Sequence, residues 1–138
     1  MDKKPTLDKN DFERLSQFRY RLRCFLRQSE NICQRYGLTS LQYQLLLHLR
    51  GFHGRDWATV GELAERLQAK HHGVVALVDR CEQLALVERR QGREDRRQIE
   101  IHLLEEGVKR VTQIAETHQP ELRHLHEESP FPLWDHPT

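Results

Sequence analysis

The sequence holds little that would place it in a membrane, a disulfide-stapled scaffold or a metal site. Its longest purely apolar run is Val74-Val75-Ala76-Leu77-Val78. A helix needs about 20 apolar residues to cross a bilayer, so a membrane span is excluded. No apolar segment of a signal peptide follows Met1-Asp2-Lys3-Lys4-Pro5-Thr6, and a cytoplasmic location is expected. The three cysteines (Cys24, Cys33, Cys81) are odd in number and form no C-x-x-C, which argues against a disulfide framework or a zinc knuckle. An excess of charge of one sign is also missing, with 22 Lys and Arg against 21 Asp and Glu and a net charge of +1. A claim of nucleic-acid binding must therefore rest on where the charges sit. There is no H-E-x-x-H, no G-x-S-x-G and no phosphate loop. The nine histidines are scattered, without the spacing of a catalytic zinc site. Neither an enzyme nor a cofactor nor a bound metal is expected.

What is present is a soluble, charge-rich pattern of 138 residues, 37% hydrophobic and 31% charged, with room for one domain. Phe12, Leu15, Phe18, Leu22, Phe25, Leu26 and Ile32 recur at helical spacing, predicting one helix from Asp8 to Tyr36. Such a helix is about 43 Å long, more than a small core can cover, so its stripe is expected to pack on something outside its own domain. Gly37 stops it. Thr39-Ser40-Leu41-Gln42 has the form of a capping box opening a helix over about 40–52, and Thr59-Val60-Gly61-Glu62 opens a short helix to about Leu67. Trp57-Ala58 is a short strand candidate. A further helix, about 70–84, is expected to bury Val74, Leu77, Val78, Cys81 and Leu84. Two short helices with single apolar stripes suggest a helix-turn-helix.

The period then falls to two. Leu86–Arg90 reads as a strand, and Ile99, Ile101 and Leu103 alternate with Gln98, Glu100 and His102 as a half-buried one. The loop between them makes a β-hairpin. Helix resumes from Glu105 to about His118, and Pro120 starts or kinks a last short helix ending near Glu128. The fold class is mainly α with a small β-hairpin wing.

Local charge adds what net charge does not. From Arg89 to Arg97 stand five arginines against Glu94 and Asp95. An arginine-rich hairpin tip can follow the DNA backbone and enter the minor groove. Asp95, two residues before Arg97, can accept a hydrogen bond from that guanidinium and fix its direction. The first turn of the preceding helix, Lys70-His71-His72-Gly73, faces away from the apolar stripe and offers donors to phosphates and base edges. Gly73 would let the backbone approach closely. The candidate DNA-binding residues are Lys70, His71, His72, Gly73, Arg93, Arg96 and Arg97, with Asp95 as orienter.

In order and spacing these residues resemble the MarR family of winged helix-turn-helix transcriptional regulators. The resemblance spans about Leu38 to Gly107. It runs through Gly37-Leu38-Thr39-Ser40-Leu41-Gln42-Tyr43, Val60-Gly61-Glu62-Leu63-Ala64-Glu65-Arg66-Leu67, Leu77-Val78-Asp79-Arg80 and Leu86-Val87-Glu88-Arg89. Most specific are Asp95-Arg96-Arg97 and Leu103-Leu104-Glu105-Glu106-Gly107, similar to the family's wing motif D-x-R followed by L-T-x-x-G. The resemblance implies a homodimer on a pseudo-palindromic operator, usually a repressor, with recognition helices about 34 Å apart. It implies dimerisation helices at 1–36 and 105–128, a DNA-binding lobe at 37–104 and an irregular tail at 129–138. A small-molecule effector pocket near Phe18, Leu22, Tyr43 and Leu47 is a further expectation by family analogy.

The chain departs from the family at four places. His72, Gly73, Val75 and Ala76 stand where the family often has Ser- and Thr-rich recognition residues, so base preference is not carried over. Ala85 stands where a glycine is usual, at a cost of roughly 1 kcal/mol if the position is left-handed. Leu104 replaces the usual threonine cap. The tail, with Phe131 and Trp134, is expected to pack in place of a reduced last helix. Three other readings stay open. A metal sensor would use Glu30, Cys33, His48, His118 and the His124/His126 pair. A thiol sensor would use Cys24, beside Arg23 and Arg27, or Cys33. A winged-helix module that binds only protein would lack the steep salt dependence of a DNA binder.

Overall fold

The order of elements follows from where the chain can cap and stop its helices. In a computed structural model describing residues 6–133, they run α1 (Lys9–Arg35), α2 (Ser40–Gly51), β1 (Trp57–Thr59), α3 (Val60–Leu67), α4 (His71–Gln83), β2 (Val87–Gln91), β3 (Ile99–Leu103) and α5 (Glu105–Glu128). Trp134, which the sequence pairs with Phe131, lies outside the described residues, as do the rest of the tail beyond it and the start, Met1–Pro5.

Both expected capping boxes form. The Thr39 hydroxyl accepts from the Gln42 amide and the Gln42 side chain from the Thr39 amide, and Thr59 and Glu62 repeat the exchange. Reciprocal bonds of this kind satisfy two of the donors that every helix start leaves open. Asp8 and Asp11 trade the same bonds before α1, at 2.9 and 3.1 Å.

Three helices end in the same left-handed turn, closed by paired 6→1 and 5→2 hydrogen bonds. In α1 these run from Leu38 to Cys33 and from Gly37 to Gln34, both 3.0 Å. In α3 they run from Ala69 to Ala64 and Gln68 to Glu65, and in α4 from Leu86 to Cys81 and Ala85 to Glu82. The left-handed residue is Gly37 at φ 78°, Gln68 at φ 50° and Ala85 at φ 58°. The condition attached to Ala85 is met: an alanine occupies a conformation that suits glycine.

The chain divides into two compact units, residues up to Asn31 with those from His118, and Ile32–Thr117. In the second, β1, β3 and β2 form a three-stranded antiparallel sheet in that order. Trp57 lies opposite His102, and Arg90 opposite Glu100. The core beneath holds Leu45, Leu46, Leu49, Leu63, Val74, Val78, Cys81, Leu86, Ile101 and Ile114, all fully or nearly fully buried. Each such side chain contributes about 1.5–3 kcal/mol by leaving water. Gly107 is held tight here, since a Cβ would stand 2.3 Å from the Leu86 carbonyl oxygen.

In the first unit His118 Nε2 and Ser29 Oγ share a hydrogen bond of 2.6 Å. Phe25 stands against the His118 ring at 6.0 Å, and Phe18 meets Phe131 at 5.3 Å between centroids.

Four expectations need correction. Leu84 is not core but 46% exposed, because it is the last residue before the turn that redirects the chain into β2. The strand from 99 to 103 does not bury one face only. Glu100 and His102 are buried while Ile99 is 42% exposed, since β3 is the central strand and its end runs out into the wing. The strand expected over Leu86–Arg90 begins one residue later, as Leu86 belongs to the turn ending α4. Pro120 starts no separate helix but sits inside α5, where its ring nitrogen leaves the Glu116 carbonyl without the usual donor.

Candidate nucleic-acid interface

The first turn of α4 is fixed by burial of the turn behind it. Val74, Val78 and Cys81 lock one face into the core, so His71, His72 and Gly73 are left exposed with Lys70 just before them. Lys70 holds the N-cap position with an extended backbone (φ −77°, ψ 149°) and no side-chain capping bond. The helix therefore starts with open backbone donors, and its dipole favours an anion there. A Cβ built on Gly73 would have no neighbour within 4 Å.

The wing tip is closed by its own backbone. Gly92 donates to the Gln98 carbonyl at 2.8 Å and Gln98 to that of Asp95 at 3.1 Å. A Cβ on Gly92 would meet the Asp95 carbonyl oxygen at 2.4 Å, so only glycine fits. Asp95 Oδ1 accepts from the Arg97 amide at 3.0 Å and from Arg97 Nε at 3.2 Å. The Arg97 side chain is nonetheless 92% exposed. Its carboxylate partner directs the guanidinium without covering it.

The five arginines of the wing do different work. Arg89 ties β2 to α4, through Glu82 Oε1 at 2.5 Å, Asp79 Oδ1 at 2.6 Å and the Val75 carbonyl at 3.4 Å. Arg90 pairs with Glu88. These acids lie outside the Arg89–Arg97 window, which is why a local count of five cations against two overstates the free positive charge. Arg93, Arg96 and Arg97 remain exposed at the tip.

One groove brings wing and helix together. It is lined by Thr59, Val60 and Gly61 at the start of α3, His71 and Val75 of α4, and Arg89, Arg97, Gln98 and Ile99 of the wing. Arg97 and His71 thus share a groove. Arg93 lines a different hollow, with Arg55, Trp57, Glu94 and Asp95. Thr59–Gly61, Gln98 and Ile99 were read from the sequence as cap and strand residues, not as part of the interface. Only the pairing of the strands brings them there, and that has no local signal.

The loop before β1 is charged but internally satisfied. Arg55 binds Glu62 and lies over the Trp57 ring at 4.4 Å and the Phe52 ring at 4.6 Å. The Arg55 hydrogen bond holds the Glu62 carboxyl down at about 2.

The remaining candidates are dispersed. Tyr43 is a core residue whose hydroxyl is pushed up by burial, and Leu47 is 39% exposed on α2. Phe18 and Leu22 belong to the other unit. Among the described residues no group of three or more His, Cys, Asp or Glu is placed to hold a metal ion. Burial pushes the Cys81 thiol up to about 12, so it keeps its proton at neutral pH, and Cys33 is fully buried. No described helix is long and apolar enough to cross a membrane.

A family model described as MarR family matches residues 36–98. No curated protein matches the sequence significantly. Among solved structures, AbsC, a MarR family transcriptional regulator from Streptomyces coelicolor, is 24% identical with a TM-score of 0.75 over 88% of this chain and 81% of that one. A MarR family protein from Bacillus stearothermophilus is 25% identical, with a TM-score of 0.74 over 88% and 84%. A mutant of S. aureus MepR bound to an oligodeoxyribonucleotide is 22% identical, with a TM-score of 0.66 over 80% of each chain. Residues 36–98, which carry α4 and the wing arginines, match the MarR family model, and the described chain shares the winged-helix fold of these solved MarR structures.

Proposed function

We propose that this protein is a cytoplasmic DNA-binding repressor that occupies a pseudo-palindromic operator as a homodimer. Helix α4 enters the major groove by Lys70, His71, His72 and Gly73, and the wing reaches the minor groove through Arg97, with Arg93 and Arg96 beside it. The observation that carries this reading is Arg97 itself. Its guanidinium is directed by Asp95, is almost fully exposed, and shares a groove with the first turn of α4. An exposed arginine bonded only to a neighbouring carboxylate adds little to the fold, whereas a narrow minor groove attracts it by its enhanced negative potential. Homodimerisation is supported by the apolar surface of the unit containing residues up to Asn31 and from His118, where Phe12, Tyr20, Leu26, Leu122, Phe131 and Leu133 are all exposed. Large exposed apolar residues gathered on one part of a soluble protein mark an association surface.

Selection of bound sequences from a random duplex library tests recognition and symmetry together. The expected product is an inverted repeat with half-sites about one helical turn apart, bound with an affinity that falls steeply as salt rises. No enrichment, or enrichment of a lone half-site, overturns the proposal.

A further inference from the structure

The operator reading gives the first turn of α4 to DNA and leaves the second turn without a role. Val74, Val78 and Cys81 of α4 are buried, and Leu77 packs against the same core. The positions left outside after Gly73 are Val75, Ala76, Asp79 and Arg80. Val75 follows His71 by four residues and Ala76 follows His72 by four, so each continues the stripe of a first-turn histidine. Val75 and His71 line the groove that Arg97 shares, and Ala76 is exposed. Asp79 is bound by Arg89. Arg80 stands in the last turn, beyond the part of a recognition helix that meets base edges. Where α4 passes from its first turn to its second, the outward side chains thus carry no hydrogen-bonding group. Arg89 holds this surface in place, with Nη2 at 3.4 Å from the Val75 carbonyl and 2.6 Å from Asp79 Oδ1, and Nη1 at 2.5 Å from Glu82 Oε1. A valine in a helix keeps essentially one rotamer, so the methyls of Val75 have a fixed place. Gly73, three residues before Ala76, has open space where a Cβ would be, which lets a base edge come close.

The chemistry of the major groove decides what such a surface can read. The polar edges of the bases lose their hydrogen bonds to water when pressed against valine or alanine, and nothing replaces them. The 5-methyl group of thymine gains by leaving water, and it is the apolar mark by which that groove tells thymine from the other bases. We infer that the second turn of α4, Val75 with Ala76 beside it, selects thymine in each half-site by its 5-methyl group. Lys70 and the arginines of the tip hold phosphate and groove, whereas Val75 adds a preference for one base. This inference rests on the operator-binding reading and goes beyond it by naming a base and the side chain that reads it.

Deoxyuridine tests this by removing one group, because it pairs as thymidine does and lacks only the methyl. In a duplex enriched from the random library, each thymine of the half-site is replaced in turn, in both half-sites together. At the thymine that Val75 reads, affinity should fall by about fourfold per half-site, the worth of one buried methyl. Val75 is not among the side chains packed on the core, so Val75→Ala is expected to fold, which circular dichroism checks. That variant should bind the thymine and uracil duplexes alike. Lys70→Ala should bind both more weakly and keep their ratio. The inference is overturned if no enriched thymine responds to uracil. It is overturned equally if Val75→Ala keeps the whole penalty, since a methyl that acts through the shape of the duplex acts on both proteins alike. A protein that binds an inverted repeat with steep salt dependence yet ignores the methyl overturns this inference alone. A protein that enriches no duplex overturns the operator reading, and the thymine preference with it.

Discussion

Ala85 closes the turn after α4 at φ 58°, where the Cβ of an L-residue crowds the following carbonyl. The same turn after α1 uses Gly37. Replacing Ala85 with glycine removes that crowding but gives the unfolded chain more freedom, so the two effects partly cancel. We expect Ala85→Gly to stabilise the fold by about 0.5–1 kcal/mol, read as a higher denaturant midpoint at unchanged slope. A lower midpoint would mean that the turn tolerates its alanine without strain. Arg97 is the opposite kind of residue. Its side chain bonds only to Asp95 and is otherwise in solvent, so the fold gains little from it. Arg97→Ala should leave the thermal midpoint nearly unchanged and weaken operator binding by about 1–3 kcal/mol. A large fall in the midpoint would make Arg97 a structural residue.

Among the elements, α4 carries a conflict between stability and contact. Gly73 sits in its first turn with open space where a Cβ would be. Alanine there should favour the helix by about 1 kcal/mol. If the backbone at Gly73 lies against DNA, Gly73→Ala raises the melting temperature and lowers operator affinity together. A gain in both would place Gly73 outside the interface. The start of α3 gives a prediction in pH. Glu62 closes the capping box and binds Arg55, which holds its carboxyl at about 2 against an ordinary 4.5. With the folded value below the unfolded one, the contribution of Glu62 is complete above about 4.5 and is lost as pH falls from there towards 2. Its side chain is 37% exposed, so solvent screening keeps the effect small. The gap in denaturant midpoint between the unsubstituted protein and Glu62→Gln should narrow across that window. A gap independent of pH would show the charge to be irrelevant.

These same elements mark how far the sequence can be read. Both capping boxes and Gly37 depend on neighbours within a few residues and were legible, and the strand at Trp57 was legible from its residue types although its partner strand lies far along the chain. The wing motif was legible because its orienting carboxylate and its arginine are two residues apart. What Gln68 and Ala85 do was hidden or conditional, since neither residue type signals a left-handed turn. The burial of Glu100 and His102 was hidden for a different reason. Their alternation with Ile99, Ile101 and Leu103 reads as a solvated face, and only Trp57 and Arg90, brought alongside by strand pairing, make that face a buried one.

At the scale of the molecule the open question is what covers the apolar side chains near the two ends. Helix α1 is 27 residues, about 40 Å at its usual rise. Its Phe12, Tyr20 and Leu26 are half exposed or more, and Phe131 and Leu133 are 76% and 77% exposed. A lone chain would leave these in water, whereas a second copy could cover them in a closed, two-fold pair. Leu26→Asp distinguishes the two situations. In a monomer the exposed aspartate would change stability by no more than a few tenths of a kcal/mol. In a homodimer it would place a charge in a buried interface, twice over by symmetry. The expected result is dissociation in sedimentation at micromolar concentration, with the winged-helix lobe still folded by circular dichroism. The thermal midpoint of the unsubstituted protein should rise with concentration and that of the variant should not. Operator affinity should fall by more than about tenfold, because the two half-sites are then held by separate molecules. The slope against salt should also flatten, as one lobe neutralises fewer phosphates than two. If Leu26→Asp instead sediments and binds as the unsubstituted protein does, this face is not the dimer surface, and the matched pair of recognition helices loses its structural basis.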